Sequence, residues 1–103
     1  MQEAAARLLE NGALAQWHGD WGLDDLRDCL RSGCYPIVGV ERRYFGHPSA
    51  AHAMIIANIR ATEIEILDPL QGPAPRSTSL DTFVAAWRNA GQEVLVLATP
   101  FAD

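Results

Sequence analysis

The residues best suited to chemistry are His52 and Asp68, which stand at the outer ends of two neighbouring apolar runs. These runs, at 53–57 and 63–67, flank a short polar break and are typical of paired strands. If residues 59–61 form the loop between them, Asp68 lies directly opposite His52, with roughly 4.5–5.5 Å between the Cβ atoms. A carboxylate that orients an imidazole is two thirds of a Cys-His-Asp hydrolytic constellation, in which the imidazole activates a thiol.

The same register gathers apolar side chains on one face of the hairpin, because side chains alternate along a strand. Ile66 faces Met54, Ile64 faces Ile56, and the His-Asp pair lies at the open end of this face. Each member of the pair also has an ordinary explanation. A histidine that opens a strand is usually a core or surface residue whose hydrogen bonds are satisfied, and an aspartate before proline is usually part of a turn.

A thiol partner is not evident, although the chain contains Cys29 and Cys34. If strand 36–41 pairs beside the strand that opens at His52, Cys34 lies about six residues too far along, or roughly 20 Å at ~3.3 Å per residue. A nucleophile and its base need to approach within about 2.6–3.2 Å. Cys29 falls on an amphipathic helix, where a buried structural thiol is expected. No nucleophile is therefore identified.

Metal, cofactor and nucleic-acid sites are not indicated. His47 and His52 are separated by Pro48 and the start of a strand, which break any helix that could align them as ligands. The two cysteines form neither a zinc motif nor a disulfide framework. The formal charge of −5 and pI near 5.0 argue against a nucleic-acid footprint. We expect no metal, no cofactor and no nucleic-acid partner.

Composition indicates one ordinary globular domain spanning 1–103, with 49% hydrophobic and 20% charged residues. No segment approaches the ~18 apolar residues of a membrane span, and the first residues lack a hydrophobic secretory region. We expect a cytoplasmic protein without a membrane span.

The order of elements predicts an α+β fold, with helices packed on a small, mainly antiparallel sheet. Alanine-rich, amphipathic and capped segments predict three helices, and apolar runs predict the strands. The expected elements are a helix at 2–10, a short extended or irregular segment at 13–21, a helix at 23–32, a strand at 36–40 buried on both faces, a polar loop at 41–50, the hairpin, a turn-rich connection from 69, a helix at 80–90 capped by Thr78 or Ser79, and a strand at 93–98.

Several short motifs occur in an order that resembles the second half of papain-like cysteine peptidases of the bacteriocin-processing, double-glycine-leader kind. They are Leu26-x-x-x-Leu30-x-x-Gly33-x-x-Pro36-Ile37-Val38, His52-Ala53, Asp68-Pro69-x-x-Gly72 and Ser79-x-x-x-Phe83-x-x-x-Trp87. The likeness covers residues 22–98, a peptidase-like core that follows an N-terminal helix and irregular segment at 1–21. It implies the sheet lobe of that fold, with His52 as general base and Asp68 as its orienting residue.

The departure from that family concerns the nucleophile. Members carry an upstream glutamine, followed by Asp-Cys-Gly at the head of a long helix. The segment from Gln16 to Gly22 faintly resembles this motif, but Trp21 stands where the cysteine would be. The resemblance therefore implies a His-Asp pair without the lobe that supplies the nucleophile.

Three functional interpretations remain open. In the favoured one, the chain is a degenerate cysteine-peptidase-like domain, inactive alone, that binds a peptide or partner protein without cleaving it. In the second, it is half of a split peptidase whose cysteine comes from another chain. In the third, it is a small cytosolic accessory or structural domain with a vestigial His-Asp pair. Because a missing lobe would leave the hairpin's apolar face under only two helices, we also expect a homodimer or a hetero-complex across this face or an exposed sheet edge.

Overall fold

The computed structural model describes residues 14–68, 72 and 74–98, which form a six-stranded antiparallel sheet with two α-helices. The elements are β1 (Leu14–His18), α1 (Leu23–Arg31), β2 (Pro36–Glu41), a 3-10 helix (Arg42–Phe45), β3 (Ala51–Ile59), β4 (Glu63–Leu67), β5 (Arg76–Ser79), α2 (Leu80–Asn89) and β6 (Val94–Ala98). The strand order is β1-β6-β2-β3-β4-β5. The α+β architecture is confirmed, and the helix expected at 2–10 lies outside the described residues.

Helix α1 begins and ends close to its predicted bounds. The Asp25 carboxylate accepts a hydrogen bond of 2.8 Å from the Gly22 N–H, which satisfies a backbone donor before the first turn. At the other end, Ser32 Oγ donates to the Cys29 carbonyl at 2.7 Å. Gly33 follows with φ 88°, a left-handed conformation that suits glycine and turns the chain toward β2.

Helix α2 is capped by Ser79, one of the two caps expected from the sequence. The Ser79 hydroxyl accepts a hydrogen bond of 3.1 Å from the Thr82 N–H. The helix buries Phe83, Ala86 and Trp87, residues three and four apart that lie on one face. The indole of Trp87 also donates to the Glu93 carbonyl at 3.1 Å, which fixes the turn into β6.

The apolar face of the hairpin is closed within this chain. Met54, Ile56, Ile64 and Ile66 are each at most 5% exposed, and they share one core cluster with Phe83 and other buried residues from both helices and from β2. Helix α1 packs against β2 and β3, and α2 packs against β2, β4 and β5. The expected uncovered patch is therefore wrong, and with it the reason for placing a homodimer across this face.

Strand β2 lies in the interior of the sheet, as its apolar sequence indicates, between β6 and β3. Its burial nevertheless alternates along the strand: Pro36, Val38 and Val40 are buried, whereas the residues between them are partly exposed. The prediction that both faces are buried is wrong, because Leu26 of α1 and Phe83, Ala86 and Trp87 of α2 join the cluster on the Val38 face. The intervening Gly39 and the partly exposed Ile37 belong to the opposite face.

The hairpin of β3 and β4 is confirmed, but its expected register is wrong by two residues. Ile66 lies opposite Ile56, and β3 continues to Ile59, so that residues 60–62 form the turn. A β-bulge between Ile56 and Asn58 adds one residue to β3. The sequence pattern did not reveal this extra residue.

Two elements were not predicted. The polar segment Arg76–Ser79 forms the edge strand β5, and part of the loop at 41–50 forms the 3-10 helix. Neither described α-helix is long and apolar enough to cross a membrane.

Candidate functional site

His52 and Asp68 are in direct contact. The distance between His52 Nε2 and Asp68 Oδ1 is 2.7 Å, within the range of a strong charge-assisted hydrogen bond. The His52 side chain is 16% exposed and that of Asp68 is 7% exposed. The predicted proximity is therefore present, in a position largely shielded from solvent.

The contact forms even though the two residues are not directly opposite. Ile55 pairs with Leu67, so the continued register sets Asp68 level with Met54, one diagonal step from His52. A register shift of two residues leaves every side chain on its original face, because side chains alternate with a period of two. Diagonal neighbours lie about 7–8 Å apart, a gap that an imidazole and a carboxylate can span together.

The hydrogen bond fixes the orientation of the His52 ring. An ionised carboxylate only accepts hydrogen bonds, so Nε2 carries the proton that Asp68 binds. In the neutral imidazole, the lone pair then lies on Nδ1. Nδ1 makes no hydrogen bond with any residue in the described part of the chain. A ring held at one nitrogen with a basic second nitrogen has the arrangement of a general base.

A cavity of about 250 Å³ opens beside this pair. Asp68 forms part of its wall, together with residues from the 3-10 helix, the following loop and strands β3, β4 and β5. The lining comprises Tyr44, Phe45, His47, Met54, Ile66, Asp68, Arg76, Ser77 and Thr78. The mixture of aromatic, aliphatic and hydrogen-bonding groups is typical of a site for a small organic ligand or a short peptide segment.

The loop that carries Tyr44, Phe45 and His47 is closed by Glu41. Its carboxylate accepts hydrogen bonds from the N–H of Arg43 at 3.3 Å and from the N–H of Ala50 at 3.0 Å. Desolvation acts in the opposite direction, but these bonds and one from the Ser49 hydroxyl lower the pKa of Glu41. Glu41 thus joins the two ends of the segment that forms one wall of the cavity.

Neither cysteine belongs to this site. Val40 lies opposite His52, as expected, so Cys34 is about six residues away along β2, or roughly 20 Å. Cys29 is buried on α1. Burial, followed by the neighbouring Cys34 thiol, raises the pKa of Cys29, which disfavours a reactive thiolate.

Other residues considered from the sequence have separate positions. Trp21, which stands at the cysteine position of the faint motif resemblance, stacks on His18 with 4.2 Å between ring centroids and packs against the core. His47 lines the cavity, whereas the described residues contain no group of three side chains that could hold a metal. Sequence reasoning missed Arg76 and Thr78, because an isolated polar strand carries no apolar alternation.

Comparisons with known proteins give a likeness in fold. No protein-family model and no curated protein matches the chain. A solved structure from Bacillus anthracis, provisionally titled a C39-like peptidase, superposes with a TM-score of 0.72 at 14% sequence identity. The match covers 95% of this chain and 56% of that one, so the chain spans little more than half of its structural neighbour. The comparison therefore supports a relationship to C39-like peptidases at the level of the fold.

Proposed function

We propose that this chain is a peptidase-like domain that binds a peptide, or a segment of a partner protein, beside His52 and Asp68 without cleaving it. The observation that carries the proposal is the 2.7 Å contact of this pair at the wall of a cavity of about 250 Å³, with both cysteines elsewhere. The geometry retains an oriented imidazole and a space for a ligand. It offers no thiol for an acyl intermediate.

A peptide fits this location because an edge strand borders the cavity. Strand β5 is the last strand of the sheet and pairs with β4 on one side. Its Ser77 and Thr78 also line the cavity. An extended peptide could pair with the outer edge of β5 and place one side chain in the cavity, as in other cases of strand addition.

A split peptidase is the second candidate, and the open Nδ1 of His52 favours it. A ring that serves only to stabilise the fold would gain by bonding at both nitrogens, whereas a general base needs one nitrogen free. In this case another chain would bring a cysteine to Nδ1. The partner protein would then complete the site.

Peptide binding and cleavage can be tested together. The purified chain is titrated with a capped decapeptide that contains central Gly-Gly flanked by aliphatic residues, while amide shifts and peptide mass are followed. We expect saturable shifts at Met54, Ile66 and Thr78, weaker binding for Thr78→Trp, and no cleavage. The matched control Arg88→Ala, on the exposed face of α2, should bind normally. No saturable binding of this peptide or of sequence-scrambled variants would contradict the proposal.

The split-peptidase candidate needs a different experiment. The chain is mixed with each product of neighbouring genes and then with a thiol-directed peptidase probe. Labelling of a partner's cysteine that requires this chain and is lost with His52→Ala would establish the second candidate in place of the first. Labelling that persists with His52→Ala would contradict a shared site.

A further inference from the structure

Strand β5 has an outer edge whose backbone groups can be assigned from the pairing of this strand with β4. The Leu80 N–H donates to the Thr62 carbonyl at 2.9 Å, which marks a hydrogen-bonded pair at the end of the β4–β5 ladder. Hydrogen-bonded and non-hydrogen-bonded pairs alternate along an antiparallel ladder. Counting back from this bond, Thr78 bonds to β4, whereas Ser77 and Ser79 direct their backbone N–H groups away from it.

The groups on this outer edge can accept a further strand. Ser77 and Ser79 are exposed, and in the described part of the chain no residue beyond β4 bonds to their N–H groups. Ser77 offers an N–H and a carbonyl, Ser79 offers an N–H, and Pro75 has no N–H with which to continue the edge. An antiparallel segment can therefore form two hydrogen bonds with Ser77 and a third with Ser79.

The two faces of β5 have different surroundings. Thr78 is half-buried and lines the cavity beside Asp68, whereas the Ser77 hydroxyl donates to Glu63 at 3.0 Å on the opposite face. Directly paired residues share a face of the sheet. In a segment that pairs with β5, the residue opposite Ser77 therefore points away from the cavity. Its two neighbours, opposite Arg76 and Thr78, point towards the cavity.

The cavity determines which side chains suit these two positions. Its lining includes four aromatic or aliphatic side chains, namely Tyr44, Phe45, Met54 and Ile66. Contact with these groups removes apolar surface from water and therefore favours apolar side chains. A second copy of β5 does not meet this requirement, because its sequence Arg-Ser-Thr-Ser brings no apolar residue to the cavity.

We propose that β5 binds an extended segment in antiparallel orientation, held by the backbone of its residue opposite Ser77 and carrying an aliphatic or aromatic side chain on each side of that residue. The residue opposite Ser77 can vary, because its side chain lies on the face away from the cavity. The proposal rests on the peptide binding proposed above and specifies the direction, the register and the side chains of the peptide.

Backbone methylation of a peptide tests this register. The probe is a capped heptapeptide with the sequence Thr-Thr-Leu-Thr-Leu-Thr-Thr, and its binding is followed by the amide shifts of Met54, Ile66 and Ser77. We expect saturable binding. N-methylation of the central threonine removes the N–H that bonds the Ser77 carbonyl and should weaken binding about tenfold. N-methylation of the second leucine should have little effect, because that N–H points away from β5.

Two further comparisons test the side chains of the peptide and the edge of the protein. A heptapeptide whose two leucines are adjacent should bind about tenfold more weakly, because one of them then points away from the cavity. Proline is tolerated on an edge strand where its missing N–H faces solvent, so Ser77→Pro should weaken binding about tenfold. The matched control Ser77→Ala loses the hydroxyl bond to Glu63, retains the outward N–H and should bind normally.

The results that would overturn this inference differ from those that would overturn the proposed function. Equal affinity of the two methylated peptides would exclude the register, while saturable binding of the unmodified heptapeptide would still support a peptide site beside His52 and Asp68. Equal affinity of the peptide with adjacent leucines would exclude the side-chain pattern. The methylated peptides are compared on the unsubstituted chain, so this result does not depend on the folding of Ser77→Pro.

Absence of binding also has a defined meaning. If the heptapeptide does not bind but the decapeptide does, the inference about β5 is wrong and the proposed function stands. If neither peptide binds, both are wrong. A dimer of the chain that is lost with Ser77→Pro but not with Ser77→Ala, measured by light scattering, would show that a second copy occupies the edge instead.

Discussion

His52 and Asp68 illustrate how a polar pair is accommodated at the edge of an apolar core. Asp68 is 7% exposed and lies beside Ile66, yet its carboxylate is bonded by the imidazole. Burying a carboxylate without a partner is costly, so the hydrogen bond stabilises the fold as well as orienting the ring.

Substitutions at Asp68 should separate loss of the hydrogen bond from loss of charge. Asp68→Ala leaves the His52 Nε2–H without its acceptor and should lower the free energy of unfolding by about 1–3 kcal/mol. Asp68→Asn retains an acceptor oxygen and should cost less. Urea denaturation measures both values. Equal losses for the two variants would indicate that the acceptor oxygen retained by Asn contributes nothing to stability.

The two cysteines should differ in reactivity. Cys29 is buried and its pKa is raised, whereas Cys34 is partly exposed. Since the thiolate is the reactive form, an aromatic disulfide reagent at mildly alkaline pH should modify Cys34 first. Cys34→Ser should remove the fast phase and leave the slow one. A fast phase that survives in Cys34→Ser would mean that the Cys29 side chain is accessible.

Among the elements, the β3–β4 hairpin shows which features a sequence pattern can predict. The alternation of apolar residues correctly assigns Met54, Ile56, Ile64 and Ile66 to one buried face. It reveals neither the pairing of Ile59 with Ile64 beside the turn, a shift of three, nor the bulge after Ile56 that takes one residue back, so the expected register at the His52 end is wrong by two. The pair at 52 and 68 still meets, because an even shift preserves the face.

Polar elements were harder to predict than apolar ones. Strand β5 has the sequence Arg-Ser-Thr-Ser, and its pairing with β4 depends on backbone hydrogen bonds and on contacts such as Ser77 Oγ with Glu63 at 3.0 Å. No hydrophobic periodicity marks such a strand. The sequence therefore did not predict the cavity wall that this strand provides.

The loop held by Glu41 should respond to pH. Because its pKa is lowered, the Glu41 carboxylate remains ionised, and the loop remains closed, at pH values above the ordinary glutamate pKa of about 4.3. Closure is lost as the pH falls through the lower pKa that Glu41 has in the folded protein. The Arg43 and Ala50 amide shifts should therefore titrate with a midpoint below the ordinary glutamate pKa.

Variants at acidic positions provide the control for this titration. Glu41→Ala should abolish the transition and speed amide exchange across 42–50, because both loop ends lose their acceptor. Asp20→Ala, at an exposed position outside the loop, should leave both observations unchanged. A midpoint at or above the ordinary glutamate range would contradict the proposed closure.

For the whole molecule, the described core is complete without a second copy. The two helices and the sheet bury the hairpin face, and within the described residues Tyr35 is the large apolar side chain that remains exposed. We therefore expect a monomer at tens of micromolar that does not bind a dye specific for exposed apolar surface. Light scattering and dye fluorescence check this. A stable dimer, or strong dye binding, would show that an apolar surface remains uncovered.

The site as a whole was only partly predictable. The proximity of His52 and Asp68 was predictable from the hairpin pairing, which depends on local sequence. The resemblance to the peptidase family implies the roles of general base and orienting residue. The cavity beside them combines 44–47 with 76–78, segments that meet only through the sheet. Such long-range contacts leave no periodic signal in the chain.

The most direct test of the central claim is the tautomer of His52, measured by long-range ¹H–¹⁵N correlation at about pH 9, above the ordinary histidine range. The 2.7 Å bond from Nε2 to Asp68 predicts that the neutral tautomer carries its proton on Nε2 and leaves Nδ1 bare, and that Asp68→Ala relaxes this preference. A proton on Nδ1, or a mixture of tautomers unchanged by Asp68→Ala, would contradict the oriented pair on which the proposed site depends.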